Sequence, residues 1–385
     1  MMYRQWTGRT AFTLVELLVV VLIITLLIFL LIPAIQRVRE TANQFMCTNN
    51  LRTIGQAIAL MTNGGRDPLP TGGGDVFAPN DSPNLPMPRS FSQAGLPLSR
   101  QNQDWSWAYQ ILPYLENEQL WKLQSSRSPA ISVSAFQDGV SDAEIARTPI
   151  STYFCPTRRS PQTVMGPGQF GERAAIDYAA NGGPFLAHES VPPWSGLIPC
   201  PIANINGIPY IWSPDDPQGT GTFNKSRRHQ SPTQVTTTNP SLRMRDISDG
   251  LSCTFMIAEK RLNTNRIGAQ TRNNPSQPGD QFGFVSGYGP DTVRYALWPP
   301  NPDEPRGDYY GSSLGKYQSA FDDTVFDSTG QLAVPDGFGS SHLIGLNALF
   351  ADGSVRHLRF TINQLVFQQL SWRNDGSAID MNKVE

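Results

Sequence analysis

A single uninterrupted apolar segment near the N-terminus constrains the fold of this chain more than any other feature. Residues 12–32 read FTLVELLVVVLIITLLIFLLI, and among these 21 positions only Thr13, Glu16 and Thr25 are not hydrophobic. A helix of this length extends about 31 Å, which matches the roughly 30 Å hydrocarbon core of a bilayer. It also exceeds the apolar region of a secretory signal peptide, which has about 7–15 residues. Residues 12–32 are therefore predicted to form one transmembrane helix.

The composition indicates a turn-rich body outside this segment. The 385 residues include 33 Gly and 32 Pro, and only 16% are charged. Lys and Arg number 30 against 32 Asp and Glu, so the formal net charge is −2. A chain this close to neutral lacks the basic surface that nucleic-acid binding requires. We therefore expect an extracytoplasmic body that binds no nucleic acid.

Glu16 is the one charged residue inside the apolar segment. Inserting a carboxylate into the apolar layer costs about 2.5 kcal/mol or more, so an intramembrane glutamate is a candidate functional group. It lies one helical turn after Phe12. Cleavage before Phe12 would create an α-amino group that could neutralise Glu16, within one chain or between neighbouring chains of a helical bundle.

The segment that begins FTLVELLVV at Phe12 resembles the class III signal of type IV prepilins and type II secretion pseudopilins. In that family, prepilin peptidase removes a short basic leader on the cytoplasmic side, and the new N-terminal residue is N-methylated. The resemblance implies a leader of residues 1–11, cleavage between Ala11 and Phe12, N-methylation at Phe12, and an assembly role for Glu16. Ala11 stands where the family nearly always has Gly.

The helix is predicted to continue beyond the membrane as an amphipathic segment over residues 33–62. Pro33 matches the helix-kinking proline of many pilins. Apolar residues then recur mainly at steps of three and four, which predicts a stripe that packs in the core: Ile35, Val38, Ala42, Phe45, Leu51, Ile54, Ile58 and Met61. Asn63-Gly64-Gly65 is predicted to end the helix, and a Pro/Gly-rich loop is predicted over residues 63–100.

Residues 101–385 are predicted to form a β-rich extracytoplasmic domain. Trp107, Ile111, Tyr114 or Leu115, and Trp121 indicate a buried helical piece interrupted near Pro113. Short apolar runs bounded by turn residues predict strands at residues 152–155, 175–178 and 252–259.

The clearest strand signal is a hairpin in residues 346–360. Asp352-Gly353 stands between two apolar runs, and this dipeptide is a strong hairpin signal. A two-residue turn at this position places Phe350 opposite Val355.

These pieces together resemble a domain family of unknown function that follows prepilin-type N-termini and is abundant in planctomycete bacteria. The resemblance covers roughly residues 12–360. Its marks are Cys47-Thr48-Asn49-Asn50-Leu51, Leu112-Pro113-Tyr114-Leu115-Glu116, Phe154-Cys155-Pro156, Asp249-Gly250-Leu251-Ser252 and Phe350-Ala351-Asp352-Gly353-Ser354-Val355-Arg356. The chain departs from the family at His342-Leu343-Ile344-Gly345, where His-x-Gly-Gly is usual, and at His357, where an aromatic residue is usual.

The cysteines are candidates for a disulfide. Cys47, Cys155, Cys200 and Cys253 form no CxxC pair, so no zinc or redox motif is predicted. Outside the cytoplasm an even number of cysteines permits disulfides, and the three possible pairings stay open. Buried free thiols are the alternative, which suits the two cysteines on predicted strands.

No other motif predicts a catalytic or ligand site. The histidines are scattered without an HExxH spacing, and His342 has no GxSxG nucleophile beside it in sequence. We therefore expect a structural histidine at 342, no catalytic, cofactor or metal site, and no enzyme activity.

The sequence thus predicts an α+β fold of pilin-like type. A long N-terminal helix packs on an antiparallel sheet that carries large loop-rich insertions. The predicted function is that of a prepilin-like or pseudopilin-like structural protein that assembles through this helix into a pilus-like or type II secretion-type filament. The alternatives are a monomeric, membrane-anchored binding or adhesion domain that uses the signal for targeting, and an anchored enzyme of unknown reaction.

The expected location is the cytoplasmic (inner) membrane, crossed once. The N-terminus would lie in the cytoplasm and the bulk of the chain in the periplasm or at the cell surface. The expected partners are prepilin peptidase, the lipid bilayer, and other pilin-like subunits or further copies of this chain.

Overall fold

The computed structural model describes the helical N-terminal region and most of a folded body. The described residues are 13–73, 89–90, 96–98, 103, 105–123, 140–166, 171–183, 242–264, 267, 279–280, 282–287, 291–294, 296, 299–303, 337–377, 379, 381 and 384. The predictions for Ala11, Phe12 and Cys200 lie outside these residues.

One long helix, α1, spans Leu14–Met61 and is about 72 Å long. It begins with a capping box: Glu16 N donates to Thr13 Oγ1 (3.2 Å) and Thr13 N donates to Glu16 Oε2 (2.8 Å). The helix continues through Pro33 and ends before Asn63, whose φ is +50°. The predicted single helix and its end are therefore confirmed, whereas a kink at Pro33 stays a prediction.

The two halves of α1 have different surroundings. Residues 14–39 are all exposed within the chain, and this half is long and apolar enough to cross a membrane. The second half packs on the body through buried residues: Cys47, Leu51, Ile54, Gly55, Ala57, Ile58 and Met61. The predicted core stripe is therefore wrong over its first part, because Ile35, Val38, Ala42 and Phe45 are exposed.

The strands of the described residues are β1 (Thr163–Met165), β2 (Glu172–Ala174), β3 (Tyr178–Asn181), β4 (Phe255–Glu259), β5 (Val293–Arg294), β6 (Asn301–Pro302), β7 (Gly339–Ser340), β8 (Gly345–Phe350) and β9 (Val355–Arg359). Five of them form the main sheet, in the order β5-β3-β4-β8-β9. The pairs β3–β4, β4–β8 and β8–β9 are antiparallel, but β5 joins β3 in parallel. The predicted antiparallel sheet is therefore confirmed except at that edge. The pairs β1–β2 and β6–β7 are separate.

The described body also contains short helices. They are α2 (Trp107–Gln110), α3 (Glu118–Trp121), α4 (Val140–Arg147) and α5 (Gln364–Ser371), with 3-10 turns at Leu112–Tyr114, Ser151–Tyr153 and Met244–Asp246. The predicted interruption near Pro113 is confirmed by the 3-10 turn at that point. Leu115 is buried there, and Tyr114 is exposed.

Two of the three other predicted strands differ from the structure. Residues 252–259 contain β4 as predicted, but residues 152–155 hold a 3-10 turn and no strand. Residues 175–178 are irregular until β3 begins at Tyr178. A short apolar run indicates burial but does not by itself distinguish a strand from another buried conformation.

The predicted hairpin is confirmed, but its predicted register is wrong by one residue. Leu349, and not Phe350, lies opposite Val355. The connection is a three-residue loop in which Phe350 N donates to Ser354 O (2.8 Å) and Gly353 N donates to Phe350 O (2.9 Å). Gly353 has φ +84°, the left-handed conformation that such a loop requires at its last residue.

The sheet has a core on each face because side chains alternate along a strand. Leu349 of β8 belongs to the core that contains Leu51 and Ile54 of α1. The neighbouring Phe350 belongs to the core that contains Phe367 of α5. The second half of α1 therefore lies against one face of the sheet and α5 against the other, which confirms the α+β class.

Gly345, the first residue of β8, has no room for a side chain. A Cβ atom there would lie 2.2 Å from Leu358 O and 2.7 Å from His357 Nε2. We expect Gly345→Ala to lower the free energy of unfolding by about 1–3 kcal/mol, because strand β9 must shift. Denaturant midpoints of the full-length chain in detergent measure this loss.

Ile344 provides the matched control for that substitution. Ile344 stands at the first glycine of the His-x-Gly-Gly pattern. Its side chain is 63% exposed, so the larger residue projects into solvent without crowding a neighbour. We expect Ile344→Ala to change the free energy of unfolding by no more than about 0.5 kcal/mol. Equal losses at the two positions would contradict the crowding argument.

Candidate functional site

Four buried side chains of metal-ligand type meet where α1 lies against the sheet. Cys47 comes from α1, Cys155 from the loop after the 3-10 turn Ser151–Tyr153, Glu259 from the end of β4, and His342 from the turn between β7 and β8. One ligand atom of each lies within 4.8 Å of the other three. The exposed fraction is 0% for the first three residues and 3% for His342, so the cluster is closed to solvent.

Local structure positions three of the four members. Cys47 is the first side chain of α1 to be buried within the described chain. Cys155 N donates to Asp177 Oδ2 (2.9 Å), which holds the loop against the start of β3. His342 N donates to Ser340 Oγ (3.2 Å), which closes the turn after β7.

The internal distances are short. Cys47 Sγ lies 2.7 Å from Cys155 Sγ, and Cys155 Sγ lies 3.7 Å from His342 Nε2. His342 Nε2 lies 3.2 Å from Glu259 Oε1. His342 Nε2 and Glu259 Oε1 are thus within ion-pair distance. Glu259 Oε1 accepts no hydrogen bond among the described residues.

Groups outside the cluster orient its imidazole and its carboxylate. Glu40 Oε1 contacts His342 Nδ1 (2.6 Å), and Thr157 Oγ1 donates to Glu40 Oε2 (3.0 Å). Asn347 N donates to Glu259 Oε2 (2.7 Å). The atoms that point into the cluster are therefore His342 Nε2 and Glu259 Oε1.

The cluster shifts the pKa values of its own members. Burial alone would lower the pKa of His342, but its contacts with Cys155 and Glu259 raise it to about 11. Burial would raise the pKa of Glu259, but His342 and Asn347 N hold it below its usual value. The contact with Cys47, together with burial, raises the pKa of Cys155 well above its usual value. These contacts therefore favour the protonated form of His342, the ionised form of Glu259 and the neutral thiol of Cys155.

A buried charge network lies directly beside the cluster. Arg158 Nε donates to Asp303 Oδ2 (2.8 Å), and Arg158 Nη1 lies 3.4 Å from Asp177 Oδ1. Arg159 contacts Asp177 and donates to Asp280 (2.5 and 2.7 Å). The two guanidinium groups therefore offset the buried carboxylates that lie near the cluster.

The structure brings together some of the candidate residues and separates others. Cys47 and Cys155 meet, and His342 joins them. Cys253 is 3.9 Å from Ser252 Oγ, away from the cluster. Cys47, Cys155 and Cys253 are free thiols, so the disulfide stays a prediction, with Cys47–Cys155 as the pair within reach.

Sequence reasoning missed Glu40 and Glu259. Glu259 ends a strand whose five residues are all buried, and a charged residue at such a position indicates a buried partner. Glu40 stands among exposed residues of α1 and carries no comparable signal.

Comparisons with known proteins place the chain in a family. No curated protein and no solved structure matches it. The family model described as "Protein of unknown function (DUF1559)" matches residues 36–365, which include all four members of the cluster. The match covers most of the 385 residues. The chain therefore belongs to the DUF1559 family of proteins of unknown function.

Proposed function

We propose that the protein is a prepilin-like, membrane-anchored structural subunit. Prepilin peptidase would cleave between Ala11 and Phe12, and α1 would then assemble the chains into a pilus-like or type II secretion-type filament. One observation carries the proposal: the first half of α1 is apolar and exposed, while the second half is held on the folded body. This helix and the DUF1559 domain fit a membrane-anchored extracytoplasmic protein.

The exposed apolar surface of α1 extends beyond what a membrane anchor needs. Phe45 lies 13 residues after Ile32, which places it about 20 Å further along the helix axis. Val38 and Phe45 are each 70% exposed and lie on one helical face with Ile35. A bilayer that covers residues 12–32 leaves this face in water. The helix of a neighbouring copy would cover it in a filament.

Glu16 has capacity for a second partner besides its own capping box. Both bonds from Thr13 reach Oε2, and Oε1 accepts no hydrogen bond among the described residues. A neighbour's N-terminal amine could therefore bind Glu16 without opening the capping box. This arrangement supports a role for Glu16 in setting the register between subunits.

The first test is mass spectrometry of the mature N-terminus, combined with two substitutions of Glu16. We expect N-methyl-Phe12 in the wild-type chain. Gln at the third helical position preserves a capping box, whereas Ala removes it. Glu16→Gln therefore removes only the charge, and we expect it to abolish sedimentable assemblies as completely as Glu16→Ala does, at unchanged expression.

Three outcomes would contradict parts of this proposal. An intact Met1 start would show an uncleaved anchor. Normal assembly of Glu16→Gln together with loss in Glu16→Ala would assign Glu16 to helix capping alone. Absence of assemblies in a correctly processed wild-type chain would instead favour the monomeric binding or adhesion domain.

A further inference from the structure

We propose that Cys47, Cys155, Glu259 and His342 bind one zinc ion, and that this ion fastens the N-terminal helix to the sheet. The proposal goes beyond filament assembly and does not depend on it. It departs from the sequence-based expectation of no metal site, which rested on the absence of local spacing motifs. The four donors come from four separate segments, so no local motif could reveal them.

The chemistry of the donor set favours zinc. Two thiolates, one imidazole and one carboxylate match the ligands of Zn²⁺ in proteins. A site with two thiolates disfavours Mg²⁺ and Ca²⁺, because these cations prefer oxygen ligands. Four protein donors in a closed site are typical of structural zinc, because catalytic zinc keeps one position for water.

The surrounding contacts pre-orient the donors as in known metal sites. Metal-bound histidines usually give their second ring nitrogen to a carboxylate or carbonyl, which fixes the ring. Here Glu40 holds His342 Nδ1 at 2.6 Å and leaves Nε2 directed at the cluster. Glu259 is held in the same way by Asn347 N. Its inward oxygen, Oε1, is buried and accepts no hydrogen bond among the described residues, so it is available to a cation.

All four donor atoms lie within 4.8 Å of one another, close to the spacing that a tetrahedral zinc site requires. Zn–S bonds of about 2.3 Å and Zn–N or Zn–O bonds of about 2.0 Å place tetrahedral donors roughly 3.3–3.8 Å apart. The separations of His342 Nε2 from Cys155 Sγ (3.7 Å) and from Glu259 Oε1 (3.2 Å) fit this geometry. The two sulfur atoms, 2.7 Å apart, must separate by about 1 Å. Rotation about the cysteine side-chain bonds provides this movement.

The expected effect of the ion is to fasten α1 to the body. Cys47 is the first buried side chain of α1, at the point where the helix leaves its exposed half. The other three donors belong to the body. Zinc would therefore hold the exposed and packed halves of the helix at a fixed position relative to the sheet.

The test measures metal content in the full-length chain, purified in detergent without chelators. Inductively coupled plasma mass spectrometry is expected to find about one zinc per chain. The zinc is then removed with a chelator under reducing conditions, and the metal-free chain is titrated with Co²⁺ as a spectroscopic probe. We expect thiolate-to-cobalt charge-transfer absorption and the visible bands of tetrahedral cobalt.

Substitutions assign the ion to this cluster. Cys47→Ser and His342→Asn are expected to lose the zinc and the cobalt bands. Cys253→Ser removes a thiol outside the cluster and is the matched control, with no expected change. Glu40→Gln leaves all four proposed ligands in place. It therefore tests the site without the folding defect that substitution of a ligand could cause. We expect it to bind Co²⁺ about 10- to 100-fold more weakly.

Several results would overturn the proposal. One is a chain that carries a Cys47–Cys155 disulfide, detected as the loss of two hydrogen atoms from the intact mass, and no zinc. A second is a folded, reduced chain that gives no thiolate–cobalt absorption. A third is metal binding that survives in Cys47→Ser or disappears in Cys253→Ser, because either would place the ion elsewhere.

Discussion

Arg158→Ala is expected to lower the free energy of unfolding by about 3–5 kcal/mol. The guanidinium is fully buried, and its Nη2 donates to Lys260 O (2.6 Å). Burial alone would lower the pKa of Arg158, but Asp303 and Asp177 raise it, so the side chain stays charged. Alanine would leave two buried carboxylates with one cation fewer, and this uncompensated charge is the main cost.

The measurement is the midpoint of denaturant unfolding in detergent, followed by tryptophan fluorescence. Lys122 provides the matched control, because its ammonium also pairs with a carboxylate, Glu118 (2.5 Å), but on the surface. We expect Lys122→Ala to cost no more than about 0.5 kcal/mol. Comparable losses for the two variants would show that burial does not set the cost of breaking the Arg158 network.

The sequence predicts the structure most reliably where interactions between residues close together in the chain determine it. The long helix followed from apolar runs and from Asn63-Gly64-Gly65, and the hairpin followed from Asp352-Gly353. Both signals report backbone preferences within a few residues. The one-residue error in register arose because a two-residue turn was assumed. The backbone forms a three-residue loop, with Gly353 in the left-handed region.

The same reasoning failed where the answer depends on tertiary packing. Periodicity predicts that the whole apolar stripe of α1 lies in the core. Val38 and Phe45 are nevertheless exposed, because they lie on the side of the helix opposite Cys47, the first residue of α1 to be buried. Periodicity shows that a face is apolar. It does not show whether the cover is this chain, a bilayer or another copy.

The buried cluster could not be found from spacing. Cys47 and Cys155 are 108 residues apart, and Cys155 and His342 are 187 apart. Their meeting requires α1, the loop after the 3-10 turn and the β7–β8 turn to be placed together by the sheet. The resemblance to the domain family had marked Cys47, Cys155 and His342 as parts of separate motifs. The structure brings them within reach of one another and adds Glu259.

Trp107→Ala is expected to remove about 3–5 kcal/mol from the free energy of unfolding. The indole is completely buried at the start of α2 and meets the ring of Tyr153 edge-on, with centroids 6.1 Å apart. Its Nε1 donates to Thr292 O (2.8 Å). Alanine would lose the buried area and leave a cavity between α2 and the segment that carries Thr292.

Trp107→Phe separates the two contributions of the indole. Phenylalanine keeps most of the buried area but cannot donate to Thr292 O, which also accepts from Ala180 N (2.8 Å) and so keeps one partner. We therefore expect Trp107→Phe to cost less than Trp107→Ala, with about 0.5–1.5 kcal/mol from the hydrogen bond. Leu343→Ala, at a side chain that is 83% exposed, is the control for removing apolar atoms at the surface. Equal losses for Trp107→Phe and Trp107→Ala, measured from denaturant midpoints, would show that the hydrogen bond and not ring packing dominates at this position.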